Sequence, residues 1–152
     1  MAETKKSPVR MWPQVRVFRE LIRANARIQQ RTREFVEAET GLSFTEFDMI
    51  IELGNQPGVR MSDLATKMIV SPANVTRLAQ SLAAKGLVTR ERAAHSDREV
   101  LAALTAKGQA FFKENFPKAT TFMTKLIDER LTATEQSTLA ALLEKLGAPA
   151  TS

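Results

Sequence analysis

Cysteine and tyrosine are absent from this 152-residue chain, and histidine and tryptophan occur once each. Without cysteine there is no disulfide, no thiolate nucleophile and no sulfur-ligated metal, and a cysteine-based redox sensor is excluded. A single histidine, His95, leaves little general acid–base machinery. His95, Ser96 and Asp97 are the residue types of a nucleophilic triad, but they are consecutive. Neighbours along a chain cannot converge on one another as nucleophile, base and orienting group. No glycine-rich phosphate loop and no spaced set of metal ligands occurs, so the sequence predicts neither an enzyme nor a bound cofactor or metal. Long hydrophobic runs are missing too, and the stretch from Met1 to Arg10 is polar and basic. The expectation is a soluble, cytoplasmic protein that does not engage a membrane.

What the chain does have is positive charge, unevenly placed. The formal net charge is +5 and the pI is near 9.9. Between Arg60 and Arg98 stand seven basic residues (Arg60, Lys67, Arg77, Lys85, Arg90, Arg92, Arg98) against three acidic ones (Asp63, Glu91, Asp97). Four of the five net charges therefore sit in one central segment, the footprint expected of a protein that binds nucleic acid.

The length suits one domain, 1–152, with its own core. From Pro13 to Glu39, Gln14, Phe18, Leu21, Asn25, Ile28, Thr32 and Phe35 recur at spacings of four and three and predict one long helix. Its arginines Arg16, Arg19, Arg23, Arg27, Arg31 and Arg33 read as a solvated face. Ser43 and Glu46 form a capping box for a helix from Phe44 to Leu53, with Phe47, Ile50 and Ile51 inward, ended by Gly54. Val59 to Met61 can make only a minimal strand. Ser62 is expected to cap a short helix through Met68 carrying Leu64 and Ala65. Ser71 caps the next helix, with Pro72 at its first position and Val75, Leu78, Ala79 and Leu82 on one face, closed by Gly86. Strands from Leu87 to Arg92 and from Glu99 to Leu104 follow, joined by six polar residues that predict a long, open connection. Thr105 caps a phenylalanine-rich helix that Pro117 should kink. A second capping box, Thr132 with Glu135, opens a leucine-rich last helix closed by Gly147 and Pro149. The fold class is mainly α with a small β-hairpin (α+β).

Two helices joined by Ile69 and Val70 and packed through Leu64, Ala65, Val75 and Leu78 leave the outer face of the second helix free. That face carries Ala73, Asn74, Thr76, Arg77, Gln80 and Ser81, none of them acidic. Short polar side chains and one arginine near a helix N-terminus suit a major groove about 12 Å wide. Arg77 can fork onto guanine and Asn74 or Gln80 can pair with adenine, while the amides behind Ser71 are placed for a phosphate. Arg90 and Arg92 on the hairpin stem, with His95 and Arg98 at its tip, can reach the minor groove beside it.

The run Met61-Ser62-Asp63-Leu64-Ala65, then Ser71-Pro72-Ala73-Asn74-Val75-Thr76-Arg77-Leu78, then Leu82-Ala83-Ala84-Lys85-Gly86-Leu87-Val88-Thr89-Arg90 resembles the helix-turn-helix of the MarR (multiple antibiotic resistance regulator) family. Leu104-Thr105-Ala106-Lys107-Gly108 resembles its pattern after the hairpin, and the resemblance extends over nearly the whole chain. It departs at Ser96, where the family's Asp-x-Arg pattern puts an aspartate before Arg98, and Asp97 is displaced by one position.

The resemblance implies a winged helix-turn-helix lobe at 44–105, flanked by dimerisation helices at 12–39 and 106–147, and a homodimer that represses a pseudo-palindromic operator until a small effector releases it. Contacts to double-stranded DNA would come from Ser62, Ser71, Pro72, Ala73, Asn74, Thr76, Arg77, Gln80, Ser81, Lys85, Arg90, Arg92, His95, Ser96, Asp97 and Arg98. An aromatic or carboxylate effector would meet Trp12, Arg16, Phe18, Phe47 and Met49, with Arg23 a further partner for a carboxylate. The rival reading is a winged-helix module that binds nucleic acid without sequence preference, or a protein.

Overall fold

In the computed structural model, residues 12–54, 56–93 and 96–148 are described, the side chains of residues 93 and 96–98 excepted. The elements run α1 (Pro13–Thr40), α2 (Phe44–Gly54), β1 (Val59–Arg60), α3 (Met61–Lys67), α4 (Pro72–Ala84), β2 (Val88–Ala93), β3 (Ser96–Leu104), α5 (Ala106–Asp128) and α6 (Ala133–Gly147). The strands form one antiparallel sheet in the order β1-β3-β2, with Val59 opposite Ala102 and Val88 opposite Leu104. The result is the mainly helical architecture with a small sheet that the periodicities predict.

The core gathers where α2, α3, α4 and the base of the sheet meet the start of α5. Phe47, Met49, Ile50, Leu53, Leu64, Val75, Leu82, Val88, Ala102 and Phe112 are buried together, and only the last turns of α1, through Val36, join them. The i, i+3, i+4, i+7 face read on α4 is buried residue for residue: Val75, Leu78, Ala79, Leu82. By contrast, α1 is exposed at every position from Pro13 to Arg31, and α6 buries no residue.

Local signals succeed where they are complete. Ser71 accepts from the Asn74 amide, Thr105 from Gly108, and Thr132 with Glu135 closes a reciprocal capping box. Three readings differ. Helix α3 begins at Met61, not after Ser62, because β1 runs straight into it through Arg60, which offers no side-chain cap. The connection expected over residues 93–98 is shorter: Ala93 pairs with Ser96 across an irregularity at Arg92, leaving residues 94 and 95 between the strands. Backbone pairing here gains more than an open loop. Helix α6 includes Gly147, with Ala148 as its C-cap. Pro117 stands inside α5, which is helical on both sides of it. Pro149 lies outside the described residues.

Candidate nucleic-acid interface

Helix α4 owes its placement to both of its ends. Ser71 adopts extended backbone, its Oγ accepting from the Asn74 amide at 3.3 Å, and Pro72 fills the first helical position. At the other end Gly86 stands at φ 73°, a conformation a β-carbon disfavours, and the amides of Gly86 and Leu87 close back on the carbonyls of Ala83 and Leu82. With the apolar face sunk in the core, Ala73, Asn74, Arg77 and Gln80 project into solvent on one side. The amides of the first turn lie at the positive end of the helix.

The other expected contacts divide into three groups. Ser62 is exposed in the first turn of α3, and Arg90 and Arg92 are exposed on β2, two residues apart and so on one face of the strand. Arg90 lines a shallow depression of about 200 Å³ with Arg60, Ser62, Thr76 and Glu99, in which Arg60 Nε meets Glu99 Oε2 at 3.3 Å. The second group is engaged internally. Thr76 donates its hydroxyl to the Pro72 carbonyl at 3.1 Å, while Ser81 Oγ and Lys85 Nζ both donate to Glu46 Oε1, at 2.6 and 2.7 Å. Lys85 therefore shares its charge with a carboxylate at the start of α2. The third group is not described: His95 lies outside the described residues, and Ser96, Asp97 and Arg98 are placed by backbone alone.

Glu46 was legible only as half of a capping box. Its Oε2 does take the Ser43 amide and hydroxyl, at 2.9 and 3.1 Å, while its Oε1 ties α2 to α4. Burial pushes this carboxyl up, but the Lys85 ammonium, the Ser81 hydroxyl and the two Ser43 donors outweigh it and hold the pKa at about 2. No sequence signal reveals partners 35 and 39 residues away.

The five side chains expected to meet an effector do not come together within one chain. Phe47 and Met49 are core residues, 2% and 0% exposed, with the Phe47 ring edge-on to Phe111. Trp12, Arg16 and Phe18 are exposed on the free end of α1, along with Arg23. Phe18 precedes Val36, where α1 enters the core, by about 27 Å of helix. A helical alternation of apolar residues cannot say whether its face lines a cleft or fills a core.

The MarR family pattern matches residues 40–99. An HTH-type transcriptional repressor of Mycobacterium tuberculosis is 32% identical over 107 residues, covering 70% of this chain and 76% of the relative. Among solved structures, a MarR family transcriptional regulator from Streptomyces coelicolor, in complex with DNA, is similar at a TM-score of 0.84 and 19% identity, over 95% of this chain and 94% of that one. A mutant MarR from E. coli with operator DNA gives 0.80 and 21%, over 89% and 96%. At those identities the structures establish the fold, a winged helix, and the repressor establishes the kinship. The chain belongs to the MarR family of transcriptional regulators.

Proposed function

We propose that this protein is a homodimeric repressor that reads a pseudo-palindromic operator through the major groove. The observation that carries the reading is the exposed face of α4, where Asn74, Arg77 and Gln80 project from a helix that has no acidic residue of its own and is otherwise sunk in the core. The structural relatives named as DNA complexes support the same placement. The two amide side chains and the guanidinium fork match adenine and guanine edges, and Arg90 and Arg92 lie beside them to meet the sugar–phosphate backbone or the minor groove. A second copy is invoked by the arms: Val17, Phe18, Ile22, Leu142 and Leu146 are exposed on helices long enough to interlock, more apolar surface than a monomer carries without a partner. A small aromatic or carboxylate effector that changes the spacing of the two recognition helices completes the cycle.

Selection of random duplex DNA by the purified protein at two salt concentrations tests the reading. The expected product is an inverted repeat with half-sites about one helical turn apart. Recovery of no consensus despite salt-sensitive binding would leave only a non-specific nucleic-acid binder. On the selected operator, Arg77→Ala should cost about 1–3 kcal/mol and relax base preference at one position per half-site, measured by competition titration.

A further inference from the structure

Four donors converge on one carboxylate between α2 and α4. Glu46 is 8% exposed; Oε2 accepts from the Ser43 amide and hydroxyl, and Oε1 from Ser81 Oγ and Lys85 Nζ. We propose that Glu46 is the residue that sets how sharply this protein discriminates operator from random DNA, by withholding the Lys85 charge from phosphate and fixing the roll of α4. The inference rests on the duplex-reading function proposed above.

Both parts follow from position. Ser81 lies four residues after Arg77, on the same strip of α4. A hydrogen bond that fixes Ser81 against α2 therefore fixes the azimuth at which Arg77, one turn earlier, leaves the helix. Lys85 is the C-cap of α4, where the helix dipole already favours a cation, and Glu46 stands in the first turn of α2, where it favours an anion. The pair thus joins two favourable helix ends. Among the described residues, Lys107 is also bonded here: its Nζ donates to the Lys85 carbonyl at 2.9 Å and so holds the backbone rather than competing for Glu46. The low pKa of Glu46 keeps its carboxylate charged at neutral pH.

An unpaired ammonium at this spot would neutralise phosphate wherever the protein sits on a duplex, because that attraction carries no sequence information. Random DNA would gain from it as much as the operator, while the operator alone would lose from a loosened Arg77. Masking Lys85 therefore raises specificity at the expense of total affinity.

Glu46→Gln separates these effects, because glutamine at the third helical position still completes a capping box while the charge is gone. The measurement is the salt dependence of affinity for the selected operator and for a random duplex, with circular dichroism confirming that each variant is folded at the working temperature. The slope of log K against log salt should steepen by about 0.9 per subunit, and random-duplex affinity at 0.1 M salt should rise about tenfold per subunit engaged while the operator-to-random ratio falls. The double variant Glu46→Gln/Lys85→Ala should return the slope to that of the wild type. A steep slope persisting in the double variant would overturn the proposal, as would a wild-type slope that flattens on Lys85→Ala alone. Equal losses on both duplexes at unchanged slope would reduce Glu46 to a structural strut. A wild-type protein with no salt-sensitive duplex binding would remove the proposed function, and this inference with it.

Discussion

Leu82 and Leu142 occupy the same kind of place, the apolar stripe of an amphipathic helix, and the chain treats them oppositely. Leu82 on α4 is 0% exposed and Leu142 on α6 is 58% exposed. The same contrast holds between the central lobe and the arms. In the lobe the faces of α2, α3 and α4 answer one another within one chain. In the arms, the outer part of α1 and all of α6 leave apolar residues exposed. Periodicity thus says that a helix face wants burial, but not whose atoms will bury it. The two leucines give the sharpest break. Leu82→Ala should cost about 2–5 kcal/mol in urea denaturation at any protein concentration, since it opens a cavity in a packed core. Leu142→Ala should leave the dilute protein's midpoint unchanged and instead weaken self-association in sedimentation equilibrium, so that stability becomes more concentration-dependent. Equal costs at high dilution would mean that α6 finds its partner within the chain.

Two capping-box glutamates repeat the contrast electrostatically. Glu46 and Glu135 hold equivalent positions in α2 and α6, and both carboxyls lie below their ordinary range. Glu46, nearly enclosed, takes bonds from another helix and reaches about 2. Glu135 is fully exposed and is lowered by its bonds to Thr132 alone. A depressed carboxyl contributes stability above its unfolded value of 4.5, and that stability is lost as pH falls through the folded value. Unfolding free energy should therefore drop between pH 4.5 and about 2, by on the order of 3 kcal/mol for Glu46. Glu46→Gln should flatten that part of the pH profile, whereas Glu135→Gln should barely alter it. A profile unchanged by Glu46→Gln would mean that other carboxylates carry the acid sensitivity.

Gly108 and Gly147 make a third pair. A β-carbon on Gly108 would strike the Leu87 carbonyl oxygen, where the start of α5 presses on the chain between α4 and the sheet, while one on Gly147 would meet nothing within 4 Å. Gly108→Ala should cost about 1–3 kcal/mol or more, because backbone must move to admit it. Gly147→Ala, at the last position of α6, should be neutral or stabilise slightly through the unfolded state. Thermal midpoints of both variants at one concentration settle the comparison.

How far the sequence reached follows the same division between local and distant. Ser71, Thr105, Thr132 and Gly86 announced helix ends correctly because a cap is an agreement among residues three or four apart. The face of α4, including the exposure of Asn74, Arg77 and Gln80, follows from the same spacing. What failed needed distant partners. Ser81 and Lys85 look like part of the outer face until Glu46 is brought against them from 35 and 39 residues away. Met49 looks like a cleft residue until the lobe closes over it, and Phe47, read both as inward on α2 and as an effector contact, lies in the same core. The hairpin connection is read as six residues until the pairing of Ala93 with Ser96 shortens it, a register that neither strand specifies alone.

Ile69 is the one residue between α3 and α4 that behaves like an arm, and it marks where burial stops being the explanation. The turns after α3 and α4 are built alike. The Val70 and Ile69 amides return to the carbonyls of Ala65 and Thr66, as those of Leu87 and Gly86 return to Leu82 and Ala83. Both turns need a left-handed residue, and the chain supplies Gly86 at φ 73° but Ile69 at φ 55°. A β-branched side chain there is strained by about 1–2 kcal/mol. At 92% exposure it recovers none of that by packing. Ile69→Asn, a residue tolerant of this conformation, should therefore raise stability by about 1 kcal/mol, read as a shift in urea midpoint at unchanged slope. The gain should be the same at low and high protein concentration, because the residue belongs to the lobe. A loss of stability would show that the Ile69 side chain has an apolar partner in the assembled protein, and would move this turn from the lobe's account to that of the arms.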